Sequence, residues 1–329
     1  MGRRFVNQLA DGDPIEEVYL VVDKQLRANR QGNLFLQLEL RDRTGTMGAR
    51  LWNAGEQLFR SFDVGDFVLA KGKVQLFQGS LQMILNHVTK APSEHAELAD
   101  FLPHTTKDVG KLYDRLKALL RKISNPHLGA LADCFLADNV VMSGFCRAPA
   151  GVRNHHAYIG GLLEHVVNML EVADRIAPFY PEVDKDLLIV GVFLHDIGKV
   201  RELAYDRSFG YTDEGQLVGH LAIGVEMLTE QIRRVPDLTG EPFPAELVLR
   251  LKHMILSHHG TYEFGSPRLP MTPEAVALHF LDNLDAKVHS VGRDIAEDSG
   301  TGRWTPFSPS MDRKLFKGGG RGAMGNELE

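Results

Sequence analysis

Cysteine is scarce: the 329 residues hold two, Cys134 and Cys146. That excludes a disulfide framework and a thiolate-rich zinc site, and it points to a reducing compartment, the cytoplasm. No apolar run approaches the ~18 residues of a membrane span, and the N-terminal MGRRFVNQLADGDP has charges with no apolar stretch behind them. No membrane partner is expected. Positive charge is also in deficit, with 37 Lys and Arg against 43 Asp and Glu for a net −6. A protein that coats nucleic acid by bulk charge is therefore excluded, although a local basic groove is not. Apolar residues are plentiful at 43%, which marks a globular chain. Its length exceeds the ~100–200 residues of one domain, so two domains are expected. Histidine is the outlier, because ten of the 14 fall between His155 and His289. The charge divides unevenly: +2 over residues 1–92, −10 over 93–300 and +2 over 301–329.

Between residues 16 and 90 apolar and polar side chains alternate, most clearly where Leu34, Leu36, Leu38 and Leu40 enclose Phe35, Gln37 and Glu39. The pattern predicts strands over 18–26, 34–41, 47–52, 67–77 and 81–89, with a short helix over 54–62 between the third and fourth. Five strands so interrupted have the arrangement of an OB-fold barrel, whose strand face and loops hold single-stranded nucleic acid. Phe35, Trp52 and Phe77 are the candidates for base stacking, and Arg27, Arg30, Lys71 and Lys73 for phosphate contacts. After residue 92 the apolar spacing becomes helical, with helices predicted over 107–123, 128–136, 159–176, 185–196, 217–234, 245–258 and 273–291. Gly, Ser and Pro accumulate from residue 299, which predicts an irregular tail. The expected organisation is an all-β barrel over 12–92, a helical support over 93–140, an all-α bundle over 141–298 and the tail over 299–329.

The sharpest local feature is His195-Asp196-Ile197-Gly198-Lys199 at the end of an apolar helix. Adjacent positions lie ~100° apart on a helix, so the imidazole can bind one metal while the two-oxygen carboxylate bridges to a second. Gly-Lys then stops the helix and sets a cation alongside. An isolated His-Asp pair means little; its company is what matters. His165 precedes it, and His220, His258-His259, Asp282 and Asp285 follow.

This ordered series resembles the HD-domain metal-dependent phosphohydrolases. The resemblance implies that the first His, the HD pair and the last Asp hold one ion, while the HD aspartate and the intervening histidines hold another. Imidazole and carboxylate donors without thiolates suit Mn²⁺, Fe²⁺, Ni²⁺ or Zn²⁺ better than Ca²⁺, with Mn²⁺ favoured. The stretches NHHAYIGGLLEH (154–165), GYTDEGQLVGHLAIG (210–224), HMILSHHGTYEFGSP (253–267) and HFLDNLDAK (279–287) look like those of the YhaM-type 3′→5′ exoribonucleases, which join an OB-fold to an HD domain. Carried over on that resemblance, the metal-ligand candidates are His165, His195, Asp196, His220, His258, His259 and Asp282. Asp196 and Lys199 are the catalytic candidates, Lys199 as a cation that neutralises phosphate charge or else forms a salt bridge at the helix end. Asp282 and Asp285 share a helix face, so either can reach a metal; Asp282 is preferred and Asp285 then orients a ligand. His258 and His259 point ~100° apart, so one coordinates and the other meets substrate, or both coordinate. His155 and His156 bind phosphate or cap a helix, and Tyr262 lines the pocket for the terminal nucleotide. His87, His95, His104 and His127 read as surface or hydrogen-bonded side chains.

The implied activity is metal-dependent hydrolysis of single-stranded RNA, with single-stranded DNA as a second substrate class, to nucleoside 5′-monophosphates. The alternative is an HD phosphodiesterase or phosphatase acting on small or cyclic nucleotides, for which an OB barrel is superfluous.

Overall fold

The computed structural model describes residues 3–29, 31–77, 79–92, 100–152, 156–206, 209–298, 300 and 302–318. Arg30, His155 and His95 lie outside the described residues. The chain divides into two compact units, Met1–Thr106 with Ala204–Gly210, and Lys107–Leu203 with Tyr211–Glu329.

In the first unit β1 (Pro14–Ala28), β2 (Leu34–Asp42), β3 (Gly45–Trp52), β4 (Phe67–Phe77) and β5 (Ser80–Lys90) close into a barrel in the order β1-β2-β3-β5-β4. β1 pairs antiparallel with both β2 and β4, and β3 runs parallel to β5, which is the OB-fold closure. A bulge between Val21 and Asp23 bends the long β1 so that its two halves serve different neighbours. The period-two reading of β2 holds: Leu36, Leu38 and Leu40 are buried in the barrel core with Tyr19, Phe62 and Met83. Phe35 faces outward and meets its cross-strand partner Trp52 with ring centroids 5.0 Å apart. The helix expected over 54–62 is a single turn, α1 (Glu56–Phe59). Beyond it Phe62 turns inward as core, and the Lys24 ammonium donates to the Phe59 carbonyl at 2.8 Å.

The second unit is helical: α2 (Val109–Leu120), α3 (Pro126–Leu136), α4 (Asn139–Arg147), α5 (Gly161–Ile176), α6 (Lys185–Leu194), α7 (Lys199–Glu202), α8 (Asp213–Leu217), α9 (His220–Ile232), α10 (Val235–Thr239), α11 (Ala245–Ser257) and α12 (Pro273–Glu297). α6 is apolar on every side and buried from Leu187 to Leu194, as a helix at the centre of a bundle must be. α3, α5, α11 and α12 pack around it. Short polar side chains start the helices: Asp108, Asn125, Asp138, Asp184, Thr212 and Thr272 each accept from a first-turn amide. The Asp138 cap starts a helix, α4, that the sequence pattern did not single out. The helix expected over 217–234 is α9, which starts only at His220 because Gly219 before it sits at φ 78°, outside the range of a right-handed helix.

The tail is a correction. Residues expected to be irregular form an antiparallel pair, Trp304–Ser308 with Arg313–Phe316. Thr305, Ser308 and Leu315 are buried while Trp304, Phe307 and Phe316 are exposed. A bulge between Trp304 and Phe307 breaks the strict alternation that would have revealed the strand. Among the described residues, no single helix is long and apolar enough to cross a membrane.

Phe193 of α6 is fully buried and meets Phe135 and Phe145 edge-on, with centroids 5.9 and 5.7 Å away. Phe193→Ala is expected to destabilise the helical unit by about 3–5 kcal/mol, read by chemical denaturation. A loss under about 1 kcal/mol would contradict this packing scheme.

Candidate metal centre

Helix ends assemble the centre. α6 finishes at Leu194, so His195 and Asp196 emerge at its C-terminus; α11 finishes at Ser257, so His258 and His259 emerge at another. The last carbonyls of a helix lack intrahelical partners. Two are taken up here, the Val192 oxygen by His195 Nδ1 and the Ile255 oxygen by His258 Nδ1, both at 2.8 Å. Each bond assigns the proton to Nδ1 and turns Nε2 inward as a lone-pair donor. The remaining rings are held by the same logic. His165 Nδ1 bonds Asp285 Oδ2 at 2.7 Å, His220 Nδ1 bonds Glu202 Oε1 at 2.9 Å, and His259 Nδ1 bonds the Phe264 carbonyl at 2.8 Å.

Their Nε2 atoms converge on the Asp196 carboxylate, which is 1% exposed. Oδ2 lies 3.2 Å from His195 Nε2 and 3.9 Å from His165 Nε2; Oδ1 lies 3.5 Å from His258 Nε2 and 3.7 Å from His220 Nε2. Asp282 Oδ1 approaches His165 Nε2 at 3.4 Å, and His259 Nε2 lies 3.2 Å from His220 Nε2. Ligand atoms that share an ion at ~2.0–2.2 Å sit roughly 3–3.5 Å apart. The observed spacings cluster around that range. Although buried, His195 Nε2 and Asp196 Oδ1 have no hydrogen-bond partner among the described residues. Buried polar atoms left this way call for an ion, and the donor set fits a divalent one.

Gly198 makes this convergence possible. A Cβ there would lie 2.1 Å from the His220 carbonyl, so only glycine lets the start of α9 approach the HD turn. Lys199 Nζ donates to Asp196 Oδ2 at 2.6 Å and to the Ala150 carbonyl at 2.7 Å. Burial opposes its charge, but the Asp196 carboxylate prevails and raises the ammonium pKa. For Asp196 itself burial favours the neutral acid, and Lys199 with His195 overrides it to hold the carboxyl well below the usual range. Burial pushes His258 down to about 3 and also lowers His259, so both present neutral nitrogens. His165 behaves oppositely: burial works against its charge, yet Asp282 and Asp285 on its two nitrogens raise it to about 9.

The two aspartates that spacing left open take opposite sides of the His165 ring, each within a group able to hold a metal. Asp282 lies on the Nε2 side of His165, grouped with His165 and His195, whereas Asp285 lies on the Nδ1 side and also bonds His156 Nε2 at 2.9 Å. His258 and His259 both face the His220 group. His156 is buried behind the centre, its Nδ1 2.7 Å from the Tyr158 hydroxyl and its ring stacked 3.9 Å from His289. Tyr262 is exposed in a short turn after the histidine pair. A cavity of about 490 Å³ opens beside Lys199, His258, His259 and Asp282.

The barrel residues belong to the other compact unit. Phe77 is 44% exposed under the Arg50 guanidinium, and Arg27 bonds Gln25 on β1. Lys71 pairs with Glu16 at 2.5 Å, and Lys73 lies opposite Pro14. The sequence reading missed Glu202, Tyr158 and His289. His289 was findable, since it lies seven residues after Asp282 and four after Asp285 on one helix face. Glu202 carried no such signal.

Barrel and centre together define an OB-fold protein joined to an HD-domain metal site. Residues 162–287 match the HD domain family model, and residues 20–91 match the OB-fold nucleic acid binding domain model. Over 306 residues the chain is 35% identical to the 3'-5' exoribonuclease YhaM of Bacillus subtilis (strain 168), covering 93% of this chain and 95% of that protein. Identity to the 3'-5' exoribonuclease YhaM of Bacillus velezensis is 36%, with the same coverage. The chain belongs to this YhaM family. Among solved structures, a domain of replication protein A from Methanococcus maripaludis matches with a TM-score of 0.23 and 22% identity, over 26% of this chain and 92% of that one.

Because the His165 pKa is raised to about 9, its imidazole carries a proton at pH 7–8 that an incoming ion must displace. Uptake of Mn²⁺ should therefore release protons, and apparent affinity should rise with pH up to about 9. Calorimetry in buffers of different ionisation enthalpy reads this directly; a buffer-independent heat would contradict it. Asp285→Asn is expected to weaken metal binding about 10–100-fold by releasing His165.

Proposed function

We propose that the protein is a metal-dependent 3′→5′ exoribonuclease that shortens single-stranded RNA to nucleoside 5′-monophosphates at a two-ion centre, with Mn²⁺ favoured. The observation that carries this reading is the Asp196 carboxylate, each oxygen of which faces its own set of imidazole nitrogens. His165, His195, Asp196 and Asp282 would hold one ion, and Asp196, His220, His258 and His259 the other. When bound, such ions activate water at neutral pH and neutralise charge on a phosphodiester.

The chain's own residues do the rest. Asp196 fixes the separation of the two ligand sets, and its own position is fixed by Lys199. That ammonium sits on the cavity wall, where it would meet a phosphoryl oxygen as charge builds during in-line displacement of the 3′-oxygen. Tyr262 would cover the terminal base, and Asp285 with His156 would steady His165 from behind. On the barrel, Phe35, Trp52 and Phe77 would stack bases without sequence preference while Arg27, Lys71 and Lys73 track phosphates. Base stacking and phosphate contacts are available to RNA and DNA strands alike, and single-stranded DNA is a second substrate class of this reading. A cytoplasmic setting suits the free thiols Cys134 and Cys146.

With Mn²⁺, the protein is expected to shorten 5′-labelled single-stranded RNA stepwise and release 5′-monophosphates; EDTA or Asp196→Ala should abolish this. An intact labelled strand alongside cleavage of a cyclic or mononucleotide would establish the small-nucleotide hydrolase instead.

A further inference from the structure

The C-terminal strand pair has a buried face and an unusual outer one. Thr305, Ser308 and Leu315 are buried, and Ser308 Oγ donates to Asp294 of α12 at 2.8 Å. On the outside, Trp304, Phe307 and Phe316 are 57%, 56% and 48% exposed. Trp304 and Phe316 are cross-strand partners with ring centroids 5.0 Å apart, and the Arg303 guanidinium lies 4.9 Å over the Phe316 ring. Phe307 faces Lys314 across the pair. Residues 302–318 hold four cations and one anion, a local +3 within a chain of net −6. Exposed rings interleaved with cations match a single strand, which offers base faces and phosphates alternately.

The same hairpin reaches the candidate centre. Its tip, Ser310 and Met311, lines the cavity beside Asp282 and His258. α12 floors that cavity, where small Ala286 and Ser290 leave space and Lys287 and Arg293 add positive charge. From Asp282 to Arg293 the helix advances about 16 Å, which is room for more than a terminal nucleotide.

We infer that the outer face of the C-terminal hairpin is a landing platform for single-stranded RNA. Trp304, Phe307 and Phe316 stack bases, Arg303 and Lys314 pair with phosphates, and α12 conducts the 3′ end to the metal centre. The inference rests on the exonuclease reading for its direction, but strand binding tests it separately.

Two full-length variants decide it: Trp304→Ala with Phe316→Ala, and Arg303→Glu with Lys314→Glu. The second changes only side chains on the exposed face, so it serves if the first fails to fold. Affinity for a fluorescein-labelled 20-nucleotide RNA is read by anisotropy in EDTA, where no cleavage intervenes. Kd should rise about tenfold or more in each variant, and the charge variant should lower the salt slope by about 1.4, from ~0.7 per lost phosphate contact. With Mn²⁺, the ratio of kcat/KM on the 20-mer to that on a dinucleotide should fall about tenfold. Folded variants with Kd within twofold of wild type would overturn the inference, as would unchanged Kd with an altered sedimentation mass, which would mark the face as a contact between copies. Wild-type binding without shortening, lost in both variants, would uphold the platform while refuting the exonuclease reading.

Discussion

A carboxylate with almost no exposure cannot remain ionised in a protein interior unless positive charge surrounds it, and Asp196 is that carboxylate. One ammonium, from Lys199, touches it directly. Imidazole nitrogens face both of its oxygens at 3.2–3.7 Å, spacings suited to shared ions. Much of the helical unit serves this one group. α6 is buried on every side and delivers the HD pair at its end, and α5, α9, α11 and α12 each supply a facing side chain.

The histidines are aimed by what lies behind them. Helix-end carbonyls hold His195 and His258, a nearby loop carbonyl holds His259, and carboxylates hold His165 and His220. Burial keeps His258 and His259 neutral, whereas Asp285 behind His165 and Asp282 before it favour the protonated ring, so His165 resists an incoming ion. Asp285, itself bonded to His156, and Glu202 thus set the aim of His165 and His220 from behind.

Much of this was legible in the sequence for physical reasons that differ by region. The barrel was readable because period-two alternation in residues 34–40 corresponds directly to inside and outside. The placement of the two histidine-bearing pairs was readable because His195-Asp196 and His258-His259 lie at ends of apolar helices. What stayed hidden was set by tertiary approach. The role of Glu202 depends on the turn at α7 bringing it to α9, and the choice between Asp282 and Asp285 depends on which side of one imidazole each reaches. The tail misled because a bulge concealed its alternation beneath a Gly- and Pro-rich composition.

Under the proposed function Asp196 bridges two ions, and anomalous X-ray scattering from crystals grown with Mn²⁺ reads that bridge. Two peaks are expected about 3.5–4 Å apart, one beside Oδ2 with His165, His195 and Asp282, the other beside Oδ1 with His220, His258 and His259. A single peak, or ions bound away from Asp196, would contradict it.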